Sequence, residues 1–434
     1  MQVIFAAESE LDESLPGKET ARLLNMYPEK GGSRSPVTLR SVPGLSEIAT
    51  LAPGRVRAMI SDGDSIFALV GGSFVQWDGA TVTKRGNVVD GPATMARNRS
   101  QIALTSERRY YVWDGAALSE ISGAAFANFG SVAYIDNFIL LSQLGGEKYQ
   151  YSAVGDASNL AALDFASAET SPDDLLRILT VGSLAWMLGE DSVEAWRNAG
   201  ATDNPFRRIP DYRLEKGLRS ISEAAVLDNT FMFVSNEGRV YRQEGGVPVV
   251  ISTDAVAAAL ARHTDAICLT YQFNQHDFFV VRFSDRPAWI YDPSTQAWHE
   301  RSTGPTHGPW EVTATVHHKG VWYAGTATGE LCTFEGFQDR GQELRREAQS
   351  AILSNNGERF TINKADIRIE GQGNLMMQLS RDGQTFGRER VKAFGGTYAE
   401  RCTFRRLGQA RELSMRLACT DNTEFAIHSA AING

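Results

Sequence analysis

Seven histidines, four cysteines and a handful of arginine- and aspartate-bearing strings are the residues of this 434-residue chain whose types suit chemistry. His263, His276, His299, His307, His317, His318 and His428 form no HxH, HExxH or HxxxH set, so no metal-ligand spacing stands out. His317 and His318 are neighbours in a strand-like stretch, where adjacent rings point to opposite faces and cannot share an ion. Cys268, Cys332, Cys402 and Cys419 contain no CxxC pair. Four isolated thiols imply a reducing compartment and no disulfide framework, with a Cys402–Cys419 bridge between neighbouring strands the one pairing considered. Gly17-Lys18 is followed by Glu19 where a phosphate loop places Ser or Thr for magnesium, and no GxGxxG or GxSxG occurs. No catalytic set, cofactor or metal is expected.

Two strings suggest glycan chemistry. SRDGQTF (Ser380–Phe386) resembles a shortened Asp-box, the turn repeated in sialidase propellers. FRRIP (Phe206–Pro210) resembles the arginine element that holds a substrate carboxylate in those enzymes. That chemistry needs several boxes, further converging arginines, and a Tyr nucleophile with its Glu base. A glycan-binding or sialidase-like propeller therefore stays as the rival reading. Arg401, Arg405, Arg406, Arg411 and Arg416 form a basic run near the end of the chain. Alternate arginines on strands make a one-faced stripe for solvent, for DNA, or for acids of a neighbouring subunit.

The elements that position these residues come from a repeat. From about residue 55 to 338 an apolar strand, a tight turn, a second apolar strand, a Gly-bearing turn and a strand ending near an aromatic recur. The marker aromatics are Trp77, Trp113, Tyr149 with Tyr151, Trp196, Tyr241, Tyr291 and Phe334. Their separation suits one four-stranded blade each. Asp62-Gly63, Asp136-Asn137 and Asp228-Asn229 tolerate the positive φ of tight hairpins. Strands such as Ile66–Val70 are apolar on both faces, as stacked blades require. The expected fold is all-β: a β-propeller of about seven blades over 51–338, an extended N-terminal arm over 1–50, and a small β-sandwich-like domain over 339–434 that starts with the charged linker DRGQELRREAQS. One helix is expected, Thr253–Arg262, capped by Ser252 or Thr253.

Composition agrees: 42% hydrophobic and 22% charged residues describe a globular chain. No apolar run approaches the roughly 18 residues of a membrane helix, and the opening MQVIFAA lacks a basic leader segment, so a soluble protein made in the cytosol is expected. The net charge is -9, unevenly spread: from Gly341 onwards there are 14 basic and 11 acidic residues, leaving 29 and 41 before it. So acidic a body is a poor clamp for duplex DNA.

Several strings together resemble one family. Asn25-Met26-Tyr27-Pro28-Glu29, Ser35-Pro36-Val37-Thr38-Leu39 and Pro43-Gly44-Leu45 look like the opening of P22-type podophage tail nozzle proteins, also described as packaged-DNA stabilisation proteins. LGEDSVEAWRNAGATDNPFRRIPDYRLEKG, residues 188–217, is similar to a family block that places Gly189, Ser192, Glu194 and Trp196 before Pro205-Phe206. ISTDAVAAAL, with Ser252 and Thr253, resembles the family's helix start, although a family Glu appears here as Ala257. STQAWHERST, the Gly325–Leu331 turn, LSRDGQTF and RRLGQARELSMRL continue the likeness, which covers roughly 25 to 427 in order. The acidic stretch Glu8–Glu19 has no counterpart there.

The resemblance implies a non-enzymatic virion protein of the phage tail, assembled in the host cytoplasm. It implies a homo-hexameric ring beneath the portal and its adaptor-ring protein, with a tail needle, plug or tailspike beyond. DNA would pass through the channel without sequence-specific binding, and no membrane anchor or cofactor is implied.

Overall fold

The computed structural model describes residues 2–433 except 4, 6–7, 11–20, 32–34, 123–124, 169–172, 202–203 and 396–399. Gly17-Lys18-Glu19, Gly32 and most of the Glu8–Glu19 stretch lie outside the described residues. Seven four-stranded antiparallel blades follow one another. Blade one is Val56–Ser61, Ile66–Val70, Ser73–Trp77 and Val82–Asn87. Blades two to six open on Ala93–Arg97, Phe129–Ile135, Leu175–Val181, Ala224–Leu227 and Ile267–Phe273. Blade seven takes Val312–His318, Val321–Thr326 and Glu330–Thr333, and its outer strand is Ser46–Thr50 from the other end of the chain.

Local chemistry explains the blades. Asp136 and Asn137 (φ 48° and 66°) and Asp228 and Asn229 (φ 50° and 55°) form the left-handed turns that suit the twist of their hairpins. The marker aromatics are buried in or just after third strands and pack across blades. Trp77 meets Tyr323 at 5.4 Å, Trp113 meets Phe74 at 5.9 Å, and Phe334 stacks on Tyr271 at 4.7 Å. The helix is Asp254–Arg262; Thr253 is its cap, accepting from the Val256 amide at 3.4 Å, while Ser252 Oγ accepts from the Val240 amide.

Every blade-to-blade seam is also tied by side chains reaching backbone or a neighbouring hydroxyl. Arg57 donates to the Gly91 carbonyl and Ser106 Oγ (2.6 and 2.7 Å) between blades one and two. Thr105 donates to the Gly130 carbonyl (3.0 Å) between two and three, and Thr180 to the Tyr134 carbonyl (2.9 Å) between three and four. Arg177 donates to the carbonyls of Ile221 and Ala224, 2.8 Å each, between four and five. Thr270, Thr315 and Thr313 donate to the carbonyls of Val226, Thr270 and Val56 (3.3, 2.6 and 2.6 Å), which completes the circle. Inner-strand edges have no further strand to pair with, so these donors satisfy carbonyls that burial would otherwise leave costly.

The first fifty residues are not one extended arm. Leu23, Leu24, Met26 and Tyr27 are buried, and the Pro and Gly punctuation separates short strands instead of stretching a tail. Met26–Lys30 forms a hairpin with Val37–Ser41, and Val37–Ser41 continues into a sheet with Phe425–Asn433, Phe360–Gly371 and Glu400–Ala410. Arg22–Leu24 pairs with Arg346–Gln349, which continues through Glu412–Cys419 and Gly373–Ser380 to Arg390–Phe394. These two sheets enclose a core of Ile362, Ile367, Leu375, Met377, Leu413, Met415 and Ile427. They form the C-terminal β-sandwich, with strands lent by the N-terminus.

The segment expected as a charged linker contains the fully buried strand Arg346–Gln349, because its charges find partners inside. The boundary placed at residue 51 likewise falls after a propeller strand, Ser46–Thr50. Cys402 and Cys419 lie on different sheets of the sandwich and are both free thiols.

Candidate functional site at the propeller–sandwich junction

Leu24 also pairs, in parallel, with Glu300 on the outer strand of blade six. One ten-stranded sheet therefore runs from the propeller's inner wall to the distal strand Arg390–Phe394. Its main path spans about 38 Å at the usual strand spacing of about 4.8 Å. Asn25 is the hub of the join. It sits fully buried at φ 54°, a conformation Asn tolerates better than most residues. Its amide group donates to Ser302 Oγ (3.0 Å) and the Arg345 carbonyl (2.7 Å), and its side-chain oxygen accepts from the Ser302 amide (3.1 Å).

Charges fill the same seam. Arg22 grips Glu300 with two hydrogen bonds, 2.7 and 3.0 Å, and both side chains are almost wholly buried. Glu347 receives Arg345 at 2.8 Å, Arg416 at 3.1 Å and His307 at 3.4 Å. Burial opposes its ionisation, but His307, Arg416 and Arg22 outweigh burial and draw its pKa to about 2. An anion held by two guanidiniums and an imidazole cannot lose any partner cheaply.

The other residues of those sequence strings also make contacts within the fold. Tyr27 is buried among His276, Phe278 and His299. Pro28 pairs with Leu39 inside the hairpin, and Glu29 forms an ion pair with Arg40 across it. The Pro43 carbonyl accepts from Arg301 at 2.6 Å. Gly44 lies so close to the Gln338 carbonyl that a Cβ would come within 2.0 Å of its oxygen. Gly189, Ser192 and their turn wrap Asp173, which accepts from the Ser192 amide and hydroxyl at 2.8 and 3.0 Å. Glu194 is buried with Arg208 at 3.7 Å. Trp196 packs edge-on to Tyr149, and Phe206 packs against Phe138, Tyr149 and Tyr151. Pro205 accepts from the Ala199 amide at 2.7 Å. The specific block thus fastens blade four to blade three.

The arginine run does not form one stripe. Arg401, Arg405, Arg406 and Arg411 are exposed, and a bulge with Arg406 at φ 59° lets Arg405 and Arg406 both face outward. Arg416 belongs to the other sheet, bound to Glu347 and stacked 3.7 Å over Phe386. The Asp-box-like string is a turn of the sandwich: Asp382 accepts from the amides of Gln384 and Thr385 at 2.9 and 2.7 Å. Arg207 and Arg208 lie on the outer strand of blade four, away from the bore.

The bore itself holds a cavity of about 890 Å³ lined by the inner strands. Over the roughly 20 Å depth of those strands that volume, with a water radius added at each wall, is about 10 Å across, narrower than the roughly 12 Å major groove of a duplex alone. Among the described residues no helix is long and apolar enough to cross a membrane.

A family model described as bacteriophage P22 Gp10, beta-propeller, matches residues 19–333, and another described as bacteriophage P22 Gp10, beta-sandwich, matches residues 345–434. No curated protein matches the chain. Among solved structures it is similar to PorZ, a bacterial surface component of the type-IX secretion system of Porphyromonas gingivalis, at 11% identity over 82% of this chain and 48% of that one, TM-score 0.43. It is also similar to the N-terminal domain of Nup159 (9% identity, 70% and 96% covered, TM-score 0.43). The WD40 propeller domain of Doa1 is comparable (12% identity, 67% and 98% covered, TM-score 0.44). The chain spans about half the length of PorZ. At these values the likenesses carry no argument about function.

Proposed function

The chain belongs to the bacteriophage P22 Gp10 family of phage structural proteins, and we propose that it is a nozzle segment of the virion tail. In this reading copies join head to tail in a six-membered ring beneath the portal and its adaptor ring, prolong the DNA channel, and help retain packaged DNA until ejection. The observation that carries the reading is the match of both domains in sequence order, 19–333 and 345–434. The continuous sheet supports it, because a ring segment under load needs its two domains fixed to each other.

The bore is too narrow for a duplex, so in this proposal the DNA runs outside the propellers, along the ring axis between subunits. Acidic turns at one end of the blades, including Asp62, Asp64, Asp78, Asp114, Asp136 and Asp228, would repel phosphate and let DNA slide. Turns that join first to second and third to fourth strands share one end of an antiparallel blade, which is why these acids gather there. The exposed Arg401, Arg405 and Arg406 at the sandwich end suit the acidic body of the next subunit, a heterologous contact that closes into a ring. With the N-terminal strands built into the sandwich, arm and domain offer one surface to the adaptor, and the opposite end meets the needle, plug or tailspike.

Gold-labelled antibody to the recombinant chain, viewed on intact particles from a lysate, tests this. Label at a single vertex below the capsid is the expected result. Antigen confined to the soluble fraction would reject the virion reading and turn attention to glycans, assayed by turnover of a fluorogenic sialoside.

A further inference from the structure

Where the helix ends and blade six begins, two short links bring three metal-ligating side chains together. His263 closes the helix: its amide donates to the Ala259 carbonyl, and its own backbone is extended (φ -121°, ψ 115°). Extended backbone sends residues two apart to one side, which sets Asp265 beside His263. The third residue, Asp285, comes from the link between His276–Arg282 and Ala288–Asp292 of the same blade. The Ser284 amide donates to Asp265 at 3.1 Å and fastens that link to the helix exit. The His263 ring packs edge-on to Phe283 at 5.5 Å, which limits its orientation.

One imidazole nitrogen and one oxygen from each carboxylate lie within 4.8 Å of one another. His263 Nδ1 is 3.1 Å from Asp285 Oδ1, yet the two make no hydrogen bond, so the oxygen lies off the line along which a ring N–H would point. Two ligands of one zinc ion, each about 2.0–2.1 Å from it in a tetrahedron, sit roughly 3.3 Å apart and off that line. Carboxylates held this close repel each other without a cation between them. Neither aspartate forms an ion pair with a guanidinium among the described residues, and Asp285 pairs only with His263. Arg55 and Arg282 act on Asp265 across space without pairing with it, and Arg282 gives its Nε to the Trp310 carbonyl at 3.0 Å. Both aspartates are exposed and His263 is partly so, which leaves an ion a way in and room for water.

We propose that His263, Asp265 and Asp285 form a zinc site at the mouth of the bore, with water completing the tetrahedron. An imidazole with two carboxylates suits zinc, whereas calcium and magnesium favour shells of about six or more oxygens. Asp265 also lines the bore, so the ion would tie the helix exit, the blade-six link and the bore rim together. The site stands apart from the nozzle reading and does not need it.

Calorimetric titration of the chelator-treated full chain with zinc chloride, and with calcium chloride as comparator, tests the site. The expected result is one saturable zinc site that calcium does not fill, and a four-coordinate visible spectrum when cobalt(II) replaces zinc. Asp285→Asn, at an exposed position, should weaken zinc binding about tenfold or more and abolish the cobalt spectrum. The unfolding temperature of the metal-free chain should not change with it. His317→Asn, which removes an exposed histidine of blade seven, should alter neither zinc binding nor the spectrum. Absence of saturable zinc binding, equal filling by calcium, or equal losses in both variants would overturn the proposal.

Discussion

The seven seams between blades and the single seam between propeller and sandwich are built from different chemistry. Blade seams rest on interlocked aromatics and on hydroxyls or guanidiniums donating to carbonyls and, at Ser106, to a hydroxyl. The junction rests on Arg22–Glu300, on Glu347 with Arg345, Arg416 and His307, and on Asn25. Donors repeated around a circle, five of the seven seams using a neutral hydroxyl, spread the load, so each is replaceable. A charge cluster at one narrow join concentrates it. The hydrogen bonds between blades should therefore respond less to pH than the junction does.

The largest expected effect is at the junction. Glu347→Ala leaves Arg345 and Arg416 facing each other in a buried site and should cost about 3–5 kcal/mol, read by denaturant unfolding. A value near zero would show that the cluster is ornamental and the contrast false. Gly44→Ala should follow, at roughly 1–3 kcal/mol, because its Cβ meets the Gln338 carbonyl and the backbone must move.

Thr105→Val should cost about 1–2 kcal/mol through one unpaired carbonyl, with the other seams holding the ring closed. Loss of the whole propeller from that change would break the claim of shared load. The smallest is Thr253→Ala, about 1 kcal/mol from the lost helix cap.

Acid sharpens the comparison further. The folded pKa of Glu347 lies below its ordinary 4.5, so its contribution is complete above that value and is lost as pH falls towards about 2. Limited proteolysis between pH 5 and 2.5 should first cut near the Arg345–Ser350 segment while the blades stay protected. Simultaneous cutting throughout would contradict it.

Much of the fold was legible because it is local. A hairpin needs only its turn and its two strands, so Asp136-Asn137 and the spacing from Trp77 to Phe334 revealed the blades and pointed to about seven, which is the number the fold has. The helix was legible to within one residue for the same reason. Less of the site could be read. The Asn-x-Tyr-Pro string was noticed, but nothing in it says that Asn25 reaches the Arg345 carbonyl, 320 positions away. Arg416 looked like one more member of a surface stripe; a bulge at Arg406 and a different sheet separate it from the others.

By itself, then, the sequence determined the all-β class, the repeat with its turns and aromatics, the acidic body and the family to which the chain belongs. Only the tertiary structure decided that Ser46–Thr50 closes blade seven, that Arg22–Leu24 and Met26–Lys30 belong to the sandwich, and that one sheet joins the two domains. The physical reason is that an edge strand carries the same alternation whichever edge it meets. Its partner is chosen by chain closure and by buried charges such as Arg22 and Glu300 finding each other across 278 positions, and periodicity along the chain holds no record of that choice.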